Sequence, residues 1–230
     1  PTRRSSDLVQ AWKDHITQQG NAIFDLKKYM KETGHYPALS EFNGYDFVFS
    51  SEPTYVDIGA VIRNELIKNG SDYSSQALAE AYSLDRLILY EKIIIPLLKK
   101  GKTIIQDRGI SSSLAYQSIS PGCLTMRKIA KLSGNDLALK NRPDYLVIVD
   151  TDAQEAIKRL ANRTGKQDNA IFENLEFLKK AGKQFLSKKF KSRFTKHGSR
   201  VVYLNGNAEI DIMKVEAIKL LEKILNQTIC

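Results

Sequence analysis

The stretch "TIIQDRGISSSLAYQ", residues 103–117, decides the fold. A short apolar run rich in β-branched isoleucine stops on Asp107-Arg108, and a glycine and three serines follow before the chain turns apolar again. A run of that length, bounded by a turn signal, reads as a strand buried on both faces. An acid and a base side by side at its carboxyl end fit a strand that opens onto a ligand, because open α/β sheets bind ligands beyond the carboxyl ends of their strands.

The pattern repeats on either side. "FVFS" (47–50) leads into Ser51-Glu52-Pro53-Thr54, "YLVIVD" (145–150) ends in Asp150, and "RVVYL" (200–204) is followed by Asn205. Helical periodicity fills the intervals: Val9, Trp12 and Ile16 ahead of Gly20, then 22–32, then Ile58, Val61, Ile62 and Leu66 behind Asp57. Further helices are expected over 75–99, which Pro96 must end or kink, and over 114–118 and 124–132. The last three are one capped by Asp152 that carries Arg159 and Arg163, one over 171–196 and one over 210–225. Strands apolar on both faces that alternate with helices predict an α/β fold: a parallel sheet with helices on both faces.

With 230 residues, 42% of them hydrophobic, the chain can bury one sizeable core, and a single domain over 9–230 is expected. No stretch approaches the run of about 18 apolar residues that crosses a bilayer. Cys123 and Cys230 have no metal-ligand spacing and no paired framework, which suits a reducing, cytoplasmic compartment. The net charge of +9 favours an anionic partner, although a lysine-rich solvated surface explains it as well. The lysines are spread over "LKKYMKE", "LLKKGK" and "FLSKKFKSRF" instead of forming one arm with interleaved aromatics, which argues against nucleic acid. Residues 1–8, "PTRRSSDL", lack an initiator methionine and any signal character, and resemble one reading frame of a sequencing adapter. They are expected to be non-native.

Three pairings carry chemistry. Arg108 can fork onto phosphate oxygens while Asp107 holds Mg²⁺ through water; the plainer alternative is an ion pair closing the sheet end. Tyr82 and Arg86 in "AYSLDR" stand at i and i+4, suited to stacking on a base and reaching its edge or its phosphate. The alternative is a core tyrosine with Arg86 paired to a carboxylate. Arg159 and Arg163, also i and i+4, precede "TGKQDN" and read as a cationic lid or a solvated face.

Taken in order, "SSEPT…GAVIRNEL", "LAEAYSLDR", "GKTIIQDRGISSSLAYQ", "RPDYLVIVD", "AIKRLANR" and "DNAIFENLEFLKKAGKQFL" resemble the successive motifs of the thymidylate kinase family. The likeness runs from residue 9 to the last helix. It implies phosphoryl transfer from ATP to dTMP, giving dTDP, on a P-loop kinase-like fold with Mg²⁺ as cofactor. It also implies that Tyr82 stacks on thymine and Arg86 reaches the base edge or phosphate. By the same likeness Arg108 binds the monophosphate, Asp107 orders Mg²⁺, and Ser112 and Ser113 line the base with Tyr116 against the sugar. Glu52 belongs to the acceptor motif, Asn205 to the nucleotide cofactor side, and Arg159 and Arg163 to a lid over about 159–172. A homodimer through 75–99 is implied too.

The chain departs from that pattern in places. Gly109 stands where the family usually carries Tyr or His, and Ser51 where it often carries Arg. Segments 21–46 and 118–142 are longer than the family norm. No G-x4-G-K-[ST] occurs anywhere. That loop cradles the donor phosphates, so the expectation is a truncated chain that lacks the central first strand and is itself inactive. Two other readings remain open: another nucleoside monophosphate or deoxynucleoside kinase of the same fold, and a non-catalytic nucleotide-binding protein.

Overall fold

The computed structural model describes residues 3–68, 70–120, 122–161 and 174–228. In chain order the elements are α1 (Arg3–Gln18), β1 (Ile23–Asp25), α2 (Leu26–Thr33), a 3-10 turn at Leu39–Phe42, β2 (Phe47–Ser51) and α3 (Asp57–Val61), which runs on as a wide π turn, Ile62–Leu66. Next come α4 (Ser75–Leu89), a second π turn (Tyr90–Ile94), α5 (Ile95–Lys99), β3 (Thr103–Asp107), α6 (Ile110–Tyr116), α7 (Met126–Ala130) and α8 (Ser133–Lys140). The chain closes with β4 (Tyr145–Asp150), α9 (Ala153–Ala161), α10 (Leu175–Leu186), α11 (Lys188–Thr195), β5 (Arg200–Asn205) and α12 (Ile210–Thr228). These elements fall into two compact units, Asn21–Arg142 in one, and Pro1–Gly20 with most of the chain after residue 142 in the other.

In the first unit β1, β2 and β3 form a parallel sheet in that order. Val48 and Phe49 of β2 are both buried although they point to opposite faces, as a sheet covered on both sides requires. The register sets Ser51 opposite Asp107, and Glu52 N donates to Asp107 O at 3.1 Å, so the two strands end together. The helix expected over 22–32 is replaced by β1 and a shorter α2. Ile23 and Phe24 pair with Phe47 and Val48, and Asp25 then caps α2 by accepting from Lys28 N at 3.0 Å. The helix over 75–99 is present in full length. Ser74 caps it, and Pro96 falls in the first turn of α5, just after the π turn has widened the ladder.

In the second unit β4 and β5 pair in parallel, with Asp150 opposite Asn205. α1 packs on α12, where Trp12 Nε1 donates to Ala217 O at 2.7 Å. Residues 3–8 continue this helix: Leu8 is buried and Arg4 Nη2 donates to Ala208 O at 2.8 Å. Residues 171–173 of the helix expected over 171–196 lie outside the described residues; α10 begins at Leu175 behind the cap Asn174, and the helix breaks at Ser187, whose Oγ caps α11 by accepting from Phe190 N at 3.1 Å. No described helix is long and apolar enough to cross a membrane.

Candidate active site

In the first unit, the loop that leaves β2 is gripped by two consecutive residues of α4. Arg86, 1% exposed, donates Nη2 to Glu52 Oε2 and to Ser113 Oγ, the latter at 3.1 Å, and Nη1 to Asn135 Oδ1. Asp85 accepts from Thr54 N at 2.8 Å and from Thr54 Oγ1 at 2.6 Å. Gln106 Nε2 donates to the other oxygen of Glu52 at 2.7 Å. Side chains from β3 and α4 thus converge on Glu52, the residue that follows β2, while α6 and α8 hold Arg86. Burial pushes the Glu52 carboxyl above the ordinary carboxylate range, opposed by Arg86; burial does the same to Asp85, opposed by its Thr54 bonds.

A second set of cations lies beside this knot. Arg108, the residue after β3, has a φ of 66°, a left-handed backbone that non-glycine residues rarely adopt and that costs about 1 kcal/mol or more. Arg63 donates Nε to Pro53 O and Thr54 O, each at 3.0 Å, and Nη2 to Pro53 O, while its guanidinium lies 3.9 Å from the centre of the Tyr55 ring. Burial lowers the proton affinity of Arg63, and the like charge of Arg108 lowers it further. Tyr82 is held above the usual tyrosine range by burial, against the pull of Arg108, Arg63 and Arg86; Tyr116 is likewise raised by burial, against Arg108. Tyr82, Arg86, Arg108, Ser113, Tyr116 and Glu52 therefore share one neighbourhood. Ser112 is half-buried on the first turn of α6, and Asp107 is half-buried at the end of β3.

Four buried side-chain atoms described in this unit have no protein partner: the hydroxyls of Ser50 and Ser51, Arg86 Nε, a donor, and Gln117 Oε1, an acceptor. Gln117 stands one turn beyond Ser113, to whose carbonyl its backbone N–H donates at 3.1 Å. Arg63, Asn135, Gln106 and Gln117 escaped the sequence reading. Only Gln117 had a local signal, its i+4 spacing from Ser113. Gly109 gains a reason, since a Cβ there would come within 2.9 Å of Gln106 Nε2 and crowd the side chain that serves Glu52.

In the second unit, Arg159 donates Nε to Glu155 Oε1 at 2.6 Å and Nη1 to Gly206 O at 2.7 Å, so it is pinned to the loop after β5. Asn205 Oδ1 shapes that loop by accepting from Asn207 N at 3.0 Å. Arg163 and most of 159–172 lie outside the described residues. Among those described, no three His, Cys, Asp or Glu side chains converge on a metal position. Asp107, a single carboxylate at a strand end, fits an ion that takes most of its ligands from phosphate and water, as Mg²⁺ does.

The family model for thymidylate kinase matches residues 38–207. The chain belongs to the thymidylate kinase family. Among curated relatives, thymidylate kinase of Caldanaerobacter subterraneus is 32% identical over 186 residues, 79% of this chain and 83% of that one. A probable thymidylate kinase of Pyrococcus abyssi is 34% identical over 127 residues, 54% of this chain, which there spans only 59% of the relative. The fold is that of solved thymidylate kinases: the Ehrlichia chaffeensis structure superposes with a TM-score of 0.55 at 24% identity, covering 87% of this chain and 97% of that one.

Proposed function

We propose that this chain forms the acceptor side of a dTMP kinase, an enzyme that moves the γ-phosphoryl group of ATP onto dTMP to give dTDP. The observation that carries the reading is the pair of unpartnered atoms, Arg86 Nε and Gln117 Oε1, buried in the unit that also holds the Arg63 and Arg108 cations. Thymine presents a carbonyl, O4, next to an N3–H, which is an acceptor beside a donor. A guanidinium donates only, so Arg86 Nε donates to O4 and rejects the amino group that cytosine puts in its place. Gln117 Oε1 receives N3–H, and Tyr82 offers a ring face to the base. Ser112 and Ser113 line the base, Ser113 already tied to Arg86. Tyr116 stands against the sugar, where it disfavours a 2′-hydroxyl.

Arg108 and Arg63 take the monophosphate. A dianion neutralises Arg108 together with Arg63, whose proton affinity the like charge of Arg108 lowers, and Arg63 occupies the role that the missing arginine at position 51 leaves open. Asp107 holds Mg²⁺ through water, and the ion supplies neutralisation of phosphate charge as the transferred group loosens. On the ATP side, Asn205 and Arg159 flank the ends of β4 and β5, and Arg163 joins Arg159 in the lid. The homodimer reading is supported by Leu84 and Leu98, apolar yet exposed on the helix run 75–99.

Phosphoryl transfer relies on positioning and on charge stabilisation of the donor phosphates, and no G-x4-G-K-[ST] is present among the 230 residues. We infer that the chain binds dTMP but does not turn it over alone. The test is equilibrium binding of dTMP, dUMP, dGMP and thymidine to the chain, with a coupled assay for turnover in ATP and Mg²⁺ beside it. Binding that prefers dTMP, without turnover, supports the reading. Preference for dGMP or thymidine transfers the assignment to a sister kinase, and turnover by the chain alone contradicts the donor-side inference.

A further inference from the structure

Arg86 can discriminate between bases only if its guanidinium is held so that Nε stays aimed at the base and cannot retreat. We propose that Asn135 is the positioning residue that holds it, and thereby sets keto-against-amino selectivity. This rests on the acceptor-pocket reading above. Asn135 is fully buried in α8, and its amide orientation is fixed from both sides: Nδ2 donates to Ile129 O at 2.7 Å, which leaves Oδ1 to accept from Arg86 Nη1. Glu52 and Ser113 meanwhile take Nη2. The guanidinium is thus tethered at both terminal nitrogens, and Nε is left as its buried unpartnered donor.

α8 itself cannot shift to relax this contact. A Cβ on Gly134 would fall 1.9 Å from Ser83 O, and Gly134 N donates to Ser83 Oγ at 3.0 Å, so α8 is docked backbone to backbone against α4 one turn before Arg86. Asn135 and Arg86 are therefore placed by a single helix contact. Remove the amide, and the guanidinium pivots about Glu52, so an incoming amino group meets a donor that can move aside.

The test compares equilibrium binding of dTMP and dCMP to the wild-type chain, Asn135→Leu and Asn135→Asp, alongside ¹⁵N NMR of the arginine side chains. The expected result is that Asn135→Leu lowers the ratio of the dCMP to the dTMP dissociation constant by about tenfold. Asn135→Asp, which keeps an acceptor toward Arg86, should hold the ratio within about threefold of wild type. In the wild-type spectrum the Arg86 terminal nitrogens should give separate signals from hindered rotation, and these should merge in Asn135→Leu only. An unchanged ratio in Asn135→Leu, or Arg86 signals already averaged in the wild type, overturns the proposal. If the wild type binds neither nucleotide, the acceptor reading is what has failed, and the Arg86 signals still decide whether Asn135 holds the guanidinium.

Discussion

Arg86 and Glu52 form an ion pair in which neither side chain reaches solvent, with exposures of 1% and 3%. Such a pair contributes little net stability, because desolvating both ions offsets their attraction, but removing one member strands the other. Glu52→Leu should therefore lower unfolding stability by about 3–5 kcal/mol, read from urea denaturation midpoints. A loss below about 1 kcal/mol would mean that Arg86 finds another carboxylate.

The same pair predicts a pH signature. Burial raises the Glu52 carboxyl in the folded state, so between its unfolded and folded values the native chain binds the extra proton. Stability from this group is full below the unfolded value and falls as pH rises through the folded one, by up to about 1.4 kcal/mol per pH unit. Urea midpoints collected from acid to neutral pH should show this decline in the wild type, and a shallower one in Glu52→Gln. Identical slopes would remove Glu52 as the source.

Gly59 is required by the loop that Asp85 grips. A Cβ on Gly59 would lie 2.2 Å from Thr54 Oγ1 and 2.6 Å from Thr54 N, the two atoms that bond Asp85. Gly59→Ala should cost about 1–3 kcal/mol by overpacking and should weaken dTMP binding as Arg63 loses its carbonyl anchors. Paired melting and binding measurements check both; unaltered melting would show that the loop yields freely.

Arg63 is expected to recognise phosphate and not base. Arg63→Ala should weaken dTMP by about tenfold or more, the scale of a charged hydrogen bond, and leave thymidine within about threefold. Tyr55→Leu, which removes the ring beneath the guanidinium, should produce a smaller loss of the same kind. Competition binding against a fluorescent nucleotide separates the two; equal losses for dTMP and thymidine would place Arg63 elsewhere.

Much of the fold was legible because β2, β3 and β4 are continuous apolar runs with clear ends, and because the periodicity of 75–99 survives Pro96. β1 was hidden: three residues carry no period, and only pairing with Phe47–Ser51 makes them a strand. In the site, Asp107-Arg108 and the i, i+4 pair Tyr82 and Arg86 announced themselves locally. Gln106 and Asn135 did not, since their importance comes from Glu52 and Arg86, which lie 54 and 49 residues away. Arg63 was quoted within a motif yet gave no sign of its role, because its guanidinium is turned by the carbonyls of a loop about ten residues earlier.

The most direct test of the acceptor pocket is calorimetric titration of the chain with dTMP and with thymidine, repeated on Arg108→Ala. A phosphate-reading site predicts dTMP bound at least about tenfold more tightly than thymidine, with Arg108→Ala narrowing that preference while Arg63 keeps part of it. Equal affinity for the two ligands in the wild type, or a preference for dTMP undiminished by the loss of Arg108, would contradict it.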